Sequence, residues 1–169
     1  MTLLACTLDT PLGPFTAIAD DGALVSAGFD PDAAQMHQRL DPRRRAMALR
    51  AIADLGPVTA ALSDYFAGDV DAIDEIEVDQ PGGTFRAAAW KAMRAVPPGE
   101  TISYSELAAR SGSPRAGQAA GSACSQNRVA LVVPCHRVVR TSGALGGYYF
   151  GLDTKTWLLN HERGQRTLA

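Results

Sequence analysis

Cys135 is preceded by Pro134 and the apolar run Val129-Ala130-Leu131-Val132-Val133, and followed directly by His136 and Arg137. An ordinary thiol has a pKa of ~8.5, and only its thiolate is a good nucleophile. A neighbouring base exposes the thiolate at neutral pH, and His136 can be that base if the backbone folds it back. Without such a neighbour, a cysteine after an apolar run is an inert buried thiol. Glu162 follows Leu158 and Leu159 by one helical turn. A helix C-terminus disfavours a carboxylate, and a carboxylate on an apolar face needs a partner. Two partners are open. His136 would complete a Cys–His–Glu relay on the logic of the hydrolase triads; Arg163 would make an exposed ion pair.

Several elements must position these groups. Thr84 is expected to cap a helix with core face Phe85, Ala89, Met93 and Val96, ended by Pro97-Pro98-Gly99. Ser103-Tyr104-Ser105-Glu106 is a capping box that starts a second helix, ending near Gly112. Ser113-Pro114 reads as an N-cap with proline at the first helical position, so a third helix starts at once. Two helices joined by a tight turn make a helix-turn-helix. Residues 129–133 read as a buried strand or extended run that delivers Cys135. Residues 138–151 read as a wing turning at Thr141-Ser142-Gly143, and Asp153 caps a last helix ending before Gly164. The body of the third helix, residues 116–124, is almost all small side chains. A core helix would show large apolar residues at helical spacing. So slim a helix suits either a tight helix–helix contact or entry into a DNA minor groove only ~6 Å wide.

The front of the chain is simpler. Leu3–Thr10, Phe15–Ala19 and Leu24–Phe29 read as strands around turns at 11–14 and 20–22. Val58, Leu62, Tyr65 and Phe66 mark a helix stopping at Gly68. The arginines of residues 43–45 read as a solvated loop, and the acidic, turn-rich stretch 72–83 as a linker.

Charge divides at the same place. Residues 1–81 carry 5 Lys+Arg and 14 Asp+Glu; residues 82–169 carry 11 Lys+Arg and 4 Asp+Glu. A back half at +7 suits a polyanionic partner. With 46% hydrophobic and 20% charged residues, the 169-residue chain can bury a core in one domain or two small ones. No apolar run is long enough to span a membrane, and the opening residues predict no signal peptide. Three cysteines, Cys6, Cys124 and Cys135, cannot all pair and match no zinc spacing. Free thiols in a reducing, cytoplasmic setting are expected. These features exclude disulfide scaffolds, coiled coils and collagen.

At Pro134-Cys135-His136-Arg137-Val138 the sequence resembles the O6-alkylguanine-DNA alkyltransferases. The resemblance runs from about Gly83 to Gly164, through FRAAAWKAM, VPPGETISYSELA, the SPRA helix start, Asn127, VVPCHRVV and KTWLLNHERG. The front half resembles the family more loosely, through TPLGPFTAIADDGALVSAGF. The resemblance implies an α+β fold: a small N-terminal α/β, RNase H-like domain (1–81), then a mostly helical, winged-helix-like domain with a helix-turn-helix (82–169). It implies DNA repair by direct reversal, in which a methyl or alkyl group moves irreversibly from O6 of a flipped-out guanine to Cys135. Flipping is needed because O6 is stacked and paired in the duplex.

By the same resemblance, His136 acts as base through a water, Glu162 orients it, and Asn127 braces the site. Tyr104 donates to the departing guanine, the Val138 carbonyl reads the exocyclic amine, and the Tyr149 N–H approaches O6. Tyr148, Tyr149 and Phe150 line the substrate pocket. Arg115, Gln118, Ala119, Gly121, Ser122 and Arg137 meet DNA. The expected partner is double-stranded DNA containing O6-alkylguanine, bound through the minor groove by a monomer, with no cofactor, no metal and no membrane.

Two places, one on the third helix and one in the loop after Gly147, depart from the family's pattern. Gln118 stands where an arginine usually fills the gap left by the flipped base, which predicts weaker duplex binding or a larger share for Arg115. Tyr149 and Phe150 replace small residues, which predicts a narrowed pocket that handles methyl well and benzyl poorly. Some relatives carry zinc in the front domain; Cys6 and His37 lack two further ligands here. Two other functions are weighed. A non-repairing sensor of alkylated bases would lack the cysteine. A thiol hydrolase built on Cys135, His136 and Glu162 would need neither a slim helix nor a basic half.

Overall fold

The computed structural model describes residues 1–164 and is of mixed α+β class. Residues 165–169, counted in the expected back domain, lie outside the described residues. Packing divides the described residues into two compact units, one of residues 1–81 with 128–132, the other of 82–127 with 133–164.

The first unit is built on a four-stranded sheet. β1 (Thr2–Thr10), β2 (Gly13–Asp20) and β3 (Ala23–Gly28) form an antiparallel meander, and β4 (Ala48–Ala51) pairs parallel to β1, giving the order β3-β2-β1-β4. The β2–β3 loop is two residues long. Asp21 (φ 50°) and Gly22 (φ 88°) both take positive φ, the type I′ geometry that Asp-Gly favours because it matches strand twist. Helix α1 (Ala33–Gln38) is capped by Asp32, α2 (Pro42–Arg45) by Asp41, and α3 (Pro57–Phe66) follows. Leu3, Ala5, Ile18, Val25, Met36 and Leu40 form one core cluster. Phe15, Phe29 and Phe66 meet edge to face elsewhere in this unit.

Two expectations for this unit are corrected. The supposed linker is part of the unit: Ile73 and Ile76 are buried, and Leu24 N–H donates to Glu77 O while Asp79 N–H donates to Leu24 O. The arginine cluster is not a solvated loop. Arg44 is 3% exposed and bonds Asp20 (3.1 Å) and Asp79 (2.6 Å), with Asp41 at 3.5 Å. Burial works against its charge, but these carboxylates more than offset it and raise its pKa.

The second unit holds α4 (Thr84–Arg94), β5 (Ile102–Ser103), α5 (Tyr104–Arg110), α6 (Gly117–Ser125), β6 (Val138–Val139) and α7 (Leu152–Glu162). Ser103 caps α5 as the sequence suggests, accepting from Glu106 N–H at 3.0 Å. Other helix starts shift. Gly83, not Thr84, precedes α4, and Trp90 rather than Phe85 is buried on its face, its indole N–H donating to Ala123 O. Ser113-Pro114 opens a turn closed by Ala116 N–H to Ser113 O, so α6 begins only at Gly117. Gly151 (φ 97°), not Asp153, precedes α7. The expected wing is a turn at 141–143. β6 pairs parallel with β5, and no return strand follows it among the described residues.

The run 129–133 is not a strand. Val129 makes one isolated bridge to Ala27, and the chain then turns with Leu131 at φ 74° and Val132 N–H donating to Ala130 O. That is the rare, strained γ-turn, taken here by a buried leucine. No described helix is long and apolar enough to cross a membrane.

Candidate active site

Pro134 (φ −84°, ψ 67°) forms an inverse γ-turn, with Cys135 N–H donating to Val133 O at 2.9 Å. A short 3-10 turn, Cys135–Arg137, follows at once. This sharp reversal sends successive side chains in different directions. Cys135 stays partly accessible, while His136 and Arg137 are buried. Asn127 braces the bend, its Nδ2 donating to Val133 O at 2.8 Å and its side chain reaching the Cys135 thiol.

Glu162 collects both buried bases. Its Oε2 accepts from His136 Nε2 at 2.8 Å and from Arg137 Nη2 at 2.9 Å, and its Oε1 accepts from Arg137 Nε at 2.9 Å. Of the two partners left open by the sequence, His136 is the one present; Arg163 Nε instead donates to Gly99 O. An ionised carboxylate only accepts, so the bond to Glu162 places the imidazole proton on Nε2 and leaves Nδ1 as a lone pair. That Nδ1 is buried and has no hydrogen-bond partner among the described residues.

The electrostatics match this tautomer. Burial, only partly offset by Glu162, lowers the His136 pKa, so the ring is neutral near pH 7. Burial alone would raise Glu162, but His136 and Arg137 outweigh it and hold the carboxyl far below the usual carboxylate range. Burial pushes the Cys135 thiol up, against the Asn127 bond and the charge of Lys155. The resting pair is therefore a thiol and a neutral base, and the proton must move before sulfur can attack. Cys124, half-buried on α6, is pushed up by burial well beyond the ordinary thiol range. Cys6, in the first unit, donates to Ala53 O.

Tyr104 is the first residue of α5 and is half-buried. Burial, with the neighbouring Cys124 and Cys135, raises its phenol, so it remains a donor. Gly146 (φ 71°) lies against this ring; a Cβ there would stand 3.0 Å from the hydroxyl oxygen. Lys155, missed from sequence, is fully buried in α7, and its ammonium donates to the carbonyls of Val138, Leu145 and Gly147. The Val138 carbonyl thus already accepts from one buried cation. The three acceptors lie 8 to 17 residues before the lysine, a separation that no local pattern signals.

The aromatic segment splits. Tyr148 is half-buried with its hydroxyl fully buried, Phe150 is half-buried against it at 5.7 Å, and Tyr149 is 62% exposed. Of the two rings expected to narrow the pocket, only Phe150 packs inward.

On and before α6, Arg115, Gln118, Ala119 and Ser122 are exposed and Gly121 is half-buried, while Ala120 and Ala123 are buried. The small residues therefore serve a tight helix contact on one face and leave the other open. Arg137 must be withdrawn from the expected DNA-contacting residues. It is 2% exposed, and its donors are taken by Glu162 and Val96 O (2.7 Å).

Comparison with known proteins converges. Residues 84–164 match the family described as 6-O-methylguanine DNA methyltransferase, DNA binding domain. The chain is 36% identical over 165 residues to a methylated-DNA–protein-cysteine methyltransferase of Salmonella typhimurium, covering 96% of both chains. It is 40% identical over 157 residues to the protein of that name from Mycolicibacterium paratuberculosis, covering 93% of this chain and 90% of the other. The crystal structure of Mycobacterium tuberculosis OGT in complex with DNA superposes with a TM-score of 0.79 at 32% identity, covering 95% of this chain and 93% of that one.

Proposed function

Because the chain belongs to the methylated-DNA–protein-cysteine methyltransferase family, whose members act in direct-reversal DNA repair, we propose that Cys135 accepts the alkyl group from O6 of a guanine flipped out of duplex DNA. The single observation that carries this assignment is the imidazole next to Cys135, pinned by Glu162 through one nitrogen and left with a buried lone pair on the other that no described residue partners.

In the proposed reaction His136 Nδ1 takes the thiol proton through a water. Sulfur attacks the alkyl carbon, the carbon–O6 bond breaks, and its electron pair passes into the guanine ring. The Tyr104 hydroxyl donates to that ring and neutralises the departing charge. The products are a thioether at Cys135, an imidazolium paired with Glu162, a guanine that has taken the Tyr104 proton, and the Tyr104 phenolate, which regains a proton from the imidazolium through solvent as the repaired base leaves. The alkyl carbon is a soft electrophile and sulfur a soft nucleophile, so no cofactor is invoked. The Val138 carbonyl and the Tyr149 N–H read the exocyclic amine and O6, while Tyr148 and Phe150 wall the alkyl group.

We assign duplex binding to the open face of α6, through Gln118, Ala119, Gly121 and Ser122, with Arg115 beside it, entering the minor groove as a helix-turn-helix with α5. The exposure and small size of these side chains support that reading. The front unit's strand order, with β4 parallel to β1, supports an RNase H-like description. The turn after β6 stands in for the wing of a winged-helix-like domain. A monomer in a reducing, cytoplasmic compartment fits three cysteines that are all free.

Mass spectrometry after incubation with an O6-methylguanine oligonucleotide tests the assignment. One added methyl on the Cys135 peptide, absent in Cys135→Ser, is expected. Binding without a mass change would mean a lesion sensor, and turnover of esters without DNA would mean a thiol hydrolase.

A further inference from the structure

Two buried side-chain polar atoms lack a hydrogen-bond partner among the described residues: His136 Nδ1 and the Tyr148 hydroxyl. They are neighbours. The two rings meet edge to face with centroids 6.4 Å apart. One atom is a lone pair that needs a donor; the other is an O–H that needs an acceptor. A buried polar group left unpaired is unfavourable, and natural structures leave few of them. The two do not bond each other, so what satisfies both must accept and donate at once. A single water does this, and it is the kind of molecule buried polar corners hold.

We infer that the Tyr148 hydroxyl is a positioning group for proton removal from Cys135, donating a hydrogen bond to the water that joins the thiol to His136 Nδ1. The inference rests on the proposed role of Cys135 as acceptor. With one water lone pair occupied by Tyr148, the other faces the S–H, and one water hydrogen is directed at Nδ1. The thiol proton then passes to the water as the water's hydrogen passes to Nδ1. The water is regenerated, and the thiolate and imidazolium appear together. Burial, reinforced by Cys135 and Glu162, raises the Tyr148 phenol well above its ordinary value, so it keeps its proton and stays a donor. A phenylalanine would wall the pocket equally well without burying a hydroxyl. The hydroxyl therefore needs a reason of its own.

Tyr148→Phe, which keeps the ring, is the test. Single-turnover methyl transfer from an O6-methylguanine duplex is followed from pH 6 to pH 10 for wild type and variant, with thermal unfolding of both. The variant is expected to unfold at the wild-type temperature and still to label Cys135 fully. Its rate at pH 7 is expected to fall about tenfold, the net worth of one hydrogen bond. The deficit should close toward pH 10, where hydroxide removes the thiol proton and the relay is bypassed. An unchanged rate, or a loss equal at every pH, overturns the inference while leaving the role of Cys135 intact. Failure of the wild-type protein to label Cys135 overturns both.

Discussion

Each unit buries one arginine among carboxylates, and the two arrangements do different work. Arg44 sits among Asp20, Asp41 and Asp79, whose side chains are 11%, 25% and 61% exposed. Its charge is shared among partners that still see water. Arg137 has one carboxylate, Glu162, whose side chain is wholly buried and which also holds His136. The first arrangement ties α2 to β2 and to the segment after α3. The second fixes the tautomer and direction of a base. A buried arginine is thus not itself a mark of function. The mark is a carboxylate shared between a fixed charge and a ring that still has a nitrogen to offer.

The largest effect should come from changing one carboxylate in each place. Glu162→Gln leaves Arg137 as an uncompensated buried charge. It should cost about 3–5 kcal/mol in urea unfolding and slow methyl transfer by at least ~100-fold, since the base loses its orienting partner. Asp79→Asn leaves Arg44 with Asp20 and Asp41. It should cost about 1 kcal/mol or less and leave transfer unchanged. Equal losses in the two variants would erase the distinction.

Acid sharpens the comparison. Glu162 is depressed in the folded state, so its contribution is fully present above the unfolded value of ~4.3 and is lost as pH falls through the folded value. Wild-type stability should therefore drop steeply below about pH 4, and Glu162→Gln should flatten that slope. His136 is shifted the opposite way for a base. Below ~6.5 the unfolded chain takes up its proton first, so acidification there works against folding. The transfer rate should nonetheless hold below that pH, because the folded ring stays neutral; rate–pH profiles check this.

Smaller effects belong to the surface around the reacting groups. Gln118→Arg should tighten binding to a lesion-bearing duplex about tenfold and steepen its salt dependence by ~0.9 for one added phosphate contact. Unchanged affinity and rate would remove any special role for Gln118. Phe150→Gly should speed benzyl transfer a few-fold and leave methyl transfer as it was. Fast benzyl transfer by the wild type would show that the pocket is not narrowed.

What the sequence made legible was local or covalently adjacent. Ser103 caps α5 because its partner is three residues away, and His136 is tied to Cys135 by a single peptide bond. The Glu162 carboxylate was readable because an acid at a helix C-terminus beside leucines needs a partner. Arg44 and Lys155 were opaque, since their acceptors lie far along the chain and a charged side chain is by default assumed to face water. Arg137 was misplaced for the same reason. The run 129–133 reads as a buried strand or extended run because β-branched residues favour one. The turn at Leu131 shows that tertiary packing overrode that preference.

Gly146 carries a consequence for how such a site can change over generations. A side chain there would crowd the Tyr104 phenol and would have to adopt a disfavoured backbone shape as well. Drift at that point of the rim is closed, whereas Phe150, a few residues on, meets neither obstacle. New lesion preferences should therefore arise by repainting the wall at 150 while the glycine at 146 stays as it is.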